Sequence, residues 1–285
     1  MAPENRPRHP FRRLAAGLCL MLAAAGAAGA QQTSDLVSQT AFRVCADPAN
    51  RPMSAEDGSG FENRIADLFA AELGLPVEYT WFPMATGFIR RTLAANECDV
   101  VIGYAQGDEL VLNTNHYYTS AYVLISRADG PLSGVTGLGD PALQGKRLGV
   151  VAGSAPATHM VRHRLMARAR GYELFVDRRY RDPSGDMLAD LEAGGIDGAI
   201  LWGPIGGPLV KADHPGLSVT PLLAEAGQPR MFYRITMGVR LGEKAWTRRL
   251  NLLIRRNQAR IDAILSEAGV PILDDMGTAV KVVAR

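Results

Sequence analysis

Apolar residues follow two spacings along this chain, one typical of strands and one of helices. Continuous or alternating apolar runs predict buried strands, whereas apolar residues three and four apart predict helices with one buried face. The predicted strands are 42–46, 77–83, 98–104, 122–127, 146–151, 196–202 and 231–240, with a further strand inside 172–180. The predicted helices are 61–74, 87–95, 155–170, 183–193 and a long amphipathic helix pair over 246–269.

This order of elements predicts an α/β protein with two lobes around a central cleft. Strands alternate with helices before and after a Gly- and Pro-rich segment, 128–145, and the pattern loosens again near 222–230. Alternation of this kind is typical of parallel sheets covered by helices. We expect lobe 1 to comprise 42–128 plus 232–273 and lobe 2 to comprise 129–231, joined by two crossover segments, with 274–285 as a C-terminal tail.

The N-terminal segment has the pattern of a secretory signal peptide. Four arginines precede an uncharged, Leu- and Ala-rich run that ends in Ala28-Gly29-Ala30, so we expect cleavage after Ala30, a short N-terminal extension at 31–41 and a periplasmic protein with no membrane span. Residues 1–30 carry four Arg and one Glu, and their removal lowers the formal charge from +2 to −1. A charge this small does not favour nucleic acid as a partner.

Two cysteines, Cys45 and Cys98, remain after cleavage. In an oxidising compartment two cysteines are more often paired than free, so a disulfide is expected if their strands are neighbours. The alternative is a pair of small buried apolar side chains. Two cysteines are too few for a structural zinc cluster.

The stretch GGIDGAILWGP, residues 194–204, predicts a buried strand that ends on Trp202, where Gly203-Pro204 begins a loop. Ligands of open α/β sheets bind at the carboxyl ends of the strands. Trp202 is therefore a candidate binding residue.

Several segments together resemble the type II periplasmic solute-binding proteins. They are GFENRIADLFAAELG, CDVVIG, YYTSAYVLISR and LQGKRLGVVAGS, and NLLIRRNQARIDAILSEAGVP is similar to the closing helices of that superfamily. RVCADPANRPMS, TNHYYTSAYV and ILWGPIGG narrow the resemblance to the solute-binding-like J proteins encoded with quinoprotein methanol dehydrogenases, and favour the branch that accompanies the lanthanide-dependent enzyme. The resemblance implies the type II periplasmic binding protein fold and a PQQ-dependent methanol dehydrogenase, with its cytochrome c, as partner.

The charged groups with which amino-acid binders of that superfamily hold a zwitterion are missing at the corresponding positions. Residues 103–119, where the resemblance places a carboxylate-binding arginine, hold Asp108 and Glu109 and no Arg, and Trp202 follows where an acid is expected. The remaining candidates for the cleft are aromatic or thioether side chains that could hold an apolar small molecule or peptide segment. They are Phe61, Trp81, Met84, Phe88, Tyr104, Tyr117, Tyr118, Trp202, Met231, Phe232 and Tyr233. About half of them should prove to be core residues, and Trp202, Met84 and Tyr117 are favoured because each lies at a strand end or in a loop.

No sequence motif indicates catalysis or a metal site. Glu62 and Glu109 are the only carboxylates that could face the cleft, and the chain has no P-loop or nucleophile-elbow motif. His159 and His163 have a chelating spacing, but the neighbouring arginines favour a solvated helix face. We therefore expect a non-enzyme without cofactor, and the resemblance implies that it assists maturation or activation of the dehydrogenase. The alternative is a transporter-type receptor for a small apolar or aromatic solute.

Overall fold

The computed structural model describes residues 36–174, 176–224, 227 and 230–283. The predicted signal peptide and the first part of the N-terminal extension lie outside the described residues. None of the helices in the described part of the chain is long and apolar enough to cross a lipid bilayer.

The described residues of the first half of the chain form seven strands and two helices. They are β1 (Phe42–Ala46), β2 (Ala49–Asn50), β3 (Ser54–Ala55), α1 (Phe61–Leu73), β4 (Val77–Trp81), α2 (Phe88–Arg91), β5 (Val101–Ala105), β6 (Leu112–Asn113) and β7 (Tyr118–Arg127). Helix α1 ends where Gly74 adopts the left-handed conformation, with φ 68°, which glycine enters without steric cost. The helix buries Ile65 and Phe69 against β1 and β5.

In the second half, five strands and four helices lie within the part of the chain that the structure describes. They are β8 (Leu148–Val151), α3 (Ala155–Arg162), β9 (Arg170–Tyr172), α4 (Pro183–Glu192), β10 (Gly198–Trp202), α5 (Gly203–Asp213), β11 (Leu217–Pro221), β12 (Phe232–Val239) and α6 (Lys244–Ala268). Short 3-10 turns lie at Pro141–Leu143 and Met166–Arg168.

Strand β7 links the two halves of the chain through one mixed sheet of order β5-β12-β7-β10-β8-β9. Its first residues, Tyr118–Ala121, pair with β12, and the rest pairs with β10 and β11, all antiparallel. Strands β10 and β9 run parallel to β8, and β1 pairs with β4 in a separate parallel sheet. The sheet is therefore mixed, whereas the alternation of elements predicted a parallel one. The lobe boundaries stay a prediction.

Cys45 and Cys98 form the expected disulfide, with their Cα atoms 5.5 Å apart. That separation is typical of disulfides. Cys45 lies in β1 and donates its backbone N–H to the carbonyl of Val100, so the two segments are neighbours as the prediction required.

Among the secondary-structure predictions that were wrong, three concern helices. The segment 246–269 forms one continuous helix, Lys244–Ala268, and the helix predicted over 155–170 stops at Arg162. The loop predicted after Trp202 is helix α5. Its glycines and prolines are poor helix formers in isolation, but buried packing against β7 and the end of α6 outweighs the intrinsic propensity of so short a segment.

Candidate functional site

Trp202 ends β10 and is also the residue from which α5 begins. Its indole meets the ring of Tyr122 edge to face at 5.3 Å and the ring of Tyr233 at 5.6 Å, and the two tyrosines approach each other at 6.4 Å. We call these three residues the aromatic trio. Edge-to-face contacts of this kind add to the stabilisation from area burial alone. The trio therefore holds the indole in one orientation at the end of the strand.

A cleft of about 480 Å³ opens beside the aromatic trio. Trp202 and Tyr122 line it together with Leu201, Ile205 and Leu209. Pro48, Ala49 and Arg51 face it from the segment after β1. This volume lies in the range of small-molecule sites. Of the residues predicted for the cleft, Trp202 is the one that lines it.

Charged side chains from one segment, residues 173–182, also line the cleft. Arg181 pairs with Glu173 at 2.9 Å and Arg179 with Asp177 at 2.6 Å, and the hydrogen bond to Asp177 raises the pKa of Arg179 further. Arg178 is exposed and makes no ion pair with any described residue. Arg51, bound to Asp57, adds a fourth arginine from the opposite side.

These arginines change the chemistry expected of the cleft. The residues predicted to line it were aromatic or thioether side chains, but the structure adds a charged rim. Three of its arginines are paired with carboxyl groups, and Arg178 is not paired with any described residue. The sequence signal was DRRYRD, residues 177–182, which lies far from the position where the resemblance places an arginine. Guanidinium groups beside aromatic rings suit flat ligands or peptide segments that carry a carboxylate.

The other predicted candidates lie in the core or elsewhere on the surface. Phe61, Tyr117 and Tyr118 are buried in the core around α1 and α6. Phe88 is buried near the disulfide with Tyr104 packed against it, and Tyr104 donates its hydroxyl to Asp108 at 2.6 Å. Met231 and Phe232 are buried in two further clusters, whereas Trp81 stacks on Tyr79 at 4.4 Å and Met84 is 45% exposed.

Glu62 is buried away from this cleft, next to a separate cavity of about 10 Å³ lined also by Ser54, Asn63 and Tyr79. Burial raises the pKa of Glu62 to about 8, so the carboxyl group is mostly protonated near neutral pH. The Asn63 Nδ2 and Tyr79 hydroxyl have no hydrogen-bond partner among the described residues. A cavity of this size and polarity can hold one water molecule.

The structure offers no group of three metal-ligating side chains among the residues it describes. His159 is 7% exposed rather than on a solvated face, and burial together with Arg162 lowers its pKa. The predicted solvated face was therefore wrong for His159, because the first turns of α3 bury that side chain with Met160.

The chain is 30% identical over 247 residues to Protein MoxJ of Methylorubrum extorquens AM1, a match that covers 81% of both chains. The chain therefore belongs to the MoxJ family. No family model matches it. Protein MoxJ of Paracoccus denitrificans is 28% identical over 264 residues, a match that covers 88% of this chain and 95% of that one.

Solved structures place this MoxJ-family chain among the periplasmic binding proteins. The periplasmic binding protein XoxJ of Methylobacterium extorquens AM1 is 38% identical with a TM-score of 0.70, over 82% of this chain and 100% of that one. MxaJ of Methlophaga aminisulfidivorans MPT is 25% identical with a TM-score of 0.69, over 81% of this chain and 100% of that one. An ancestral cationic amino acid solute-binding protein, 17% identical at a TM-score of 0.63 over 81% and 96%, shares the fold alone. The predicted type II periplasmic binding protein fold is confirmed.

Proposed function

We propose that the chain is a periplasmic accessory protein of methanol oxidation, which binds a PQQ-dependent, lanthanide-type methanol dehydrogenase and assists its maturation or activation without being an enzyme itself. The observation that carries the proposal is membership of the MoxJ family, with 38% identity to XoxJ over that protein's whole length. The cleft supports it because the charged pair of an amino-acid receptor is absent from residues 103–119 and from the end of β10.

Reconstitution of the dehydrogenase tests this proposal directly. Apo-dehydrogenase mixed with PQQ and a lanthanide ion should reach full activity faster, or to a higher final level, when the purified chain is present. The chain should also co-elute with the dehydrogenase in gel filtration. Identical activation with and without the chain, together with no complex, would contradict the proposal.

The cleft favours a second candidate, a receptor for a small aromatic solute. Its volume of about 480 Å³ and its lining by Trp202 and Tyr122 fit one planar ring. A true ligand present at 100 times its dissociation constant should stabilise the protein by about 2.7 kcal/mol in a thermal-shift screen. Aromatic solutes with and without a carboxylate should be screened separately, because the arginines predict a preference for the former.

Trp202→Asp separates the two candidates. A carboxylate in place of the indole should abolish binding of an aromatic solute. Dehydrogenase binding should persist if the partner docks elsewhere. Val161→Asp is the control, because Val161 is 62% exposed and does not line the cleft.

A further inference from the structure

One exposed face of α6 gathers four arginines around a single leucine. Arg248 and Arg249 lie one turn before Leu252, and Arg255 and Arg256 lie one turn after it, each three or four residues away. Residues at these spacings are neighbours on a helix surface. Seven residues separate the paired positions, so the four guanidinium groups frame a patch about 10 Å long with Leu252, 36% exposed, at its centre. We call these five residues the arginine quartet patch.

None of the four arginines forms an ion pair or hydrogen bond with a described residue. The two acids of α6 are occupied elsewhere, because Asp262 binds Lys281 at 2.7 Å and Glu267 binds Arg64. Arg260, which continues the helix, is already paired with Glu72 at 2.9 Å. Among the arginines of α6, those without an ion pair to a described residue are therefore the four of the patch.

The helix cannot turn these arginines toward an acid of its own chain. Its opposite face buries Leu250, Leu253, Ile254 and Ile261 in the largest core cluster, and rotation would expose them. Four like charges thus remain close together in the free protein, where they repel one another. A partner that supplies carboxylates would relieve this repulsion and form charge-assisted hydrogen bonds.

We propose that the arginine quartet patch is the surface on which this chain docks an acidic region of the methanol dehydrogenase, an inference that rests on the proposed function. An exposed leucine ringed by arginines matches the usual interface arrangement of an apolar centre and a polar rim. Arginine also binds carboxylates in a bidentate geometry that fixes orientation. A lipid surface fits less well, since helices that lie on membranes present a broad apolar face, whereas this patch exposes one leucine.

Two double variants test the patch in the full chain. Arg248→Gln with Arg255→Gln removes half of its charge, and Arg162→Gln with Arg164→Gln removes the same charge from exposed, unpaired arginines at the end of α3. The affinity for purified dehydrogenase is measured for both variants and the unaltered chain at low and moderate salt. Thermal melts confirm that all three are folded.

The patch variant should bind the dehydrogenase about tenfold more weakly than the unaltered chain, with a shallower dependence on salt, and the control should change less than about twofold. Equal affinities for all three proteins would overturn the docking surface and leave the proposed function standing. Failure of the unaltered chain to bind would contradict the proposed function, and the docking surface with it. The patch variant is also tested on phosphatidylglycerol vesicles. If it loses binding to the vesicles while its affinity for the dehydrogenase is unchanged, the docking surface is overturned in favour of a lipid surface.

Discussion

At the scale of single residues, the carboxyl group of Glu62 is the clearest departure from ordinary solution chemistry. The side chain lies in the first turn of α1, and its oxygens approach the space where a side chain at Gly103 would be. Glycine suits this position for two reasons. Gly103 adopts φ +77°, which side chains disfavour, and a Cβ there would collide with the Glu62 carboxyl group. Glu62 was predicted as a candidate for the cleft, and only the packing of α1 against β5 reveals that it is buried elsewhere.

The raised pKa of Glu62 makes stability depend on pH. Above about pH 4.5 the unfolded chain releases the proton, whereas the folded chain keeps it until about pH 8, so the folded state loses stability as the pH rises between these values. Glu62→Gln removes the ionisation. Its free energy of unfolding relative to the native chain should therefore rise by about 1–4 kcal/mol from pH 4.5 to 8 and then level off. Urea titrations across this range measure the difference, with exposed Glu56→Gln as control; parallel pH profiles for Glu62→Gln and the native chain would contradict it.

At the scale of elements, α5 depends on close contact rather than on helix propensity. A Cβ at Gly207 would run into the backbone carbonyl of Gly269 at the end of α6, and one at Gly203 into that of Ala121 in β7. Glycine at these positions lets the helix approach both neighbours, and the side chain of Lys211 in α5 bonds to the last carbonyls of α6. The contact holds the start of α5, and therefore Trp202, at the cleft.

Gly207→Ala should destabilise the protein by about 1–3 kcal/mol, although alanine favours a helix more than glycine does. The added methyl group meets backbone on a packed neighbour, which cannot move without shifting α6. Gly216→Ala is the matched control, because no atom lies within 4 Å of its added Cβ, and its effect should stay within about 0.5 kcal/mol. Thermal and urea unfolding of both variants measure the difference. A Gly207→Ala protein as stable as the native chain would show that α5 is loosely packed.

The local charge on helix α6 differs from the net charge of the whole chain. Without residues 1–30 the formal charge is −1, which by itself indicates no basic surface. The helix nevertheless collects four unpaired arginines on one exposed face, because its 3.6-residue period brings them together.

At the scale of the whole molecule, Asp99 ties together segments that are remote in the chain. Its side chain, 1% exposed, accepts hydrogen bonds from Arg43 in β1 and Arg240 after β12, and from the backbone of Ser38. These contacts span up to 141 residues, so the chain returns to its starting region before α6 begins. The Cys45–Cys98 disulfide closes the same region covalently.

Asp99→Asn should destabilise the protein by about 3–5 kcal/mol, because it removes the buried carboxylate shared by Arg43 and Arg240, and Arg240 keeps Glu243 at 3.7 Å. Asp57→Asn breaks the ion pair with Arg51, in which both side chains are more than half exposed, and should change stability far less. Equilibrium urea unfolding of the two variants measures the contrast. Similar losses for both variants would contradict the role given to Asp99.

The sequence by itself determined the class of fold and most of its elements, since β1, α1, β10 and β12 lie close to where the spacing of apolar residues predicts them. The resemblance of several motifs indicated the family, and the two cysteines that remain after signal-peptide cleavage predicted the disulfide. These properties are local or are shared by a whole family, so they can be read from short stretches.

Only the tertiary structure decided what surrounds Trp202. Tyr122 and Tyr233 reach the indole from β7 and β12, and the arginines of residues 178–181 reach the cleft from a different segment again. Helix formation by GPIGGP likewise depends on neighbours that are distant in sequence. The physical reason is the same in each case: these contacts join residues whose positions depend on the packing of the whole chain, and no local pattern encodes them.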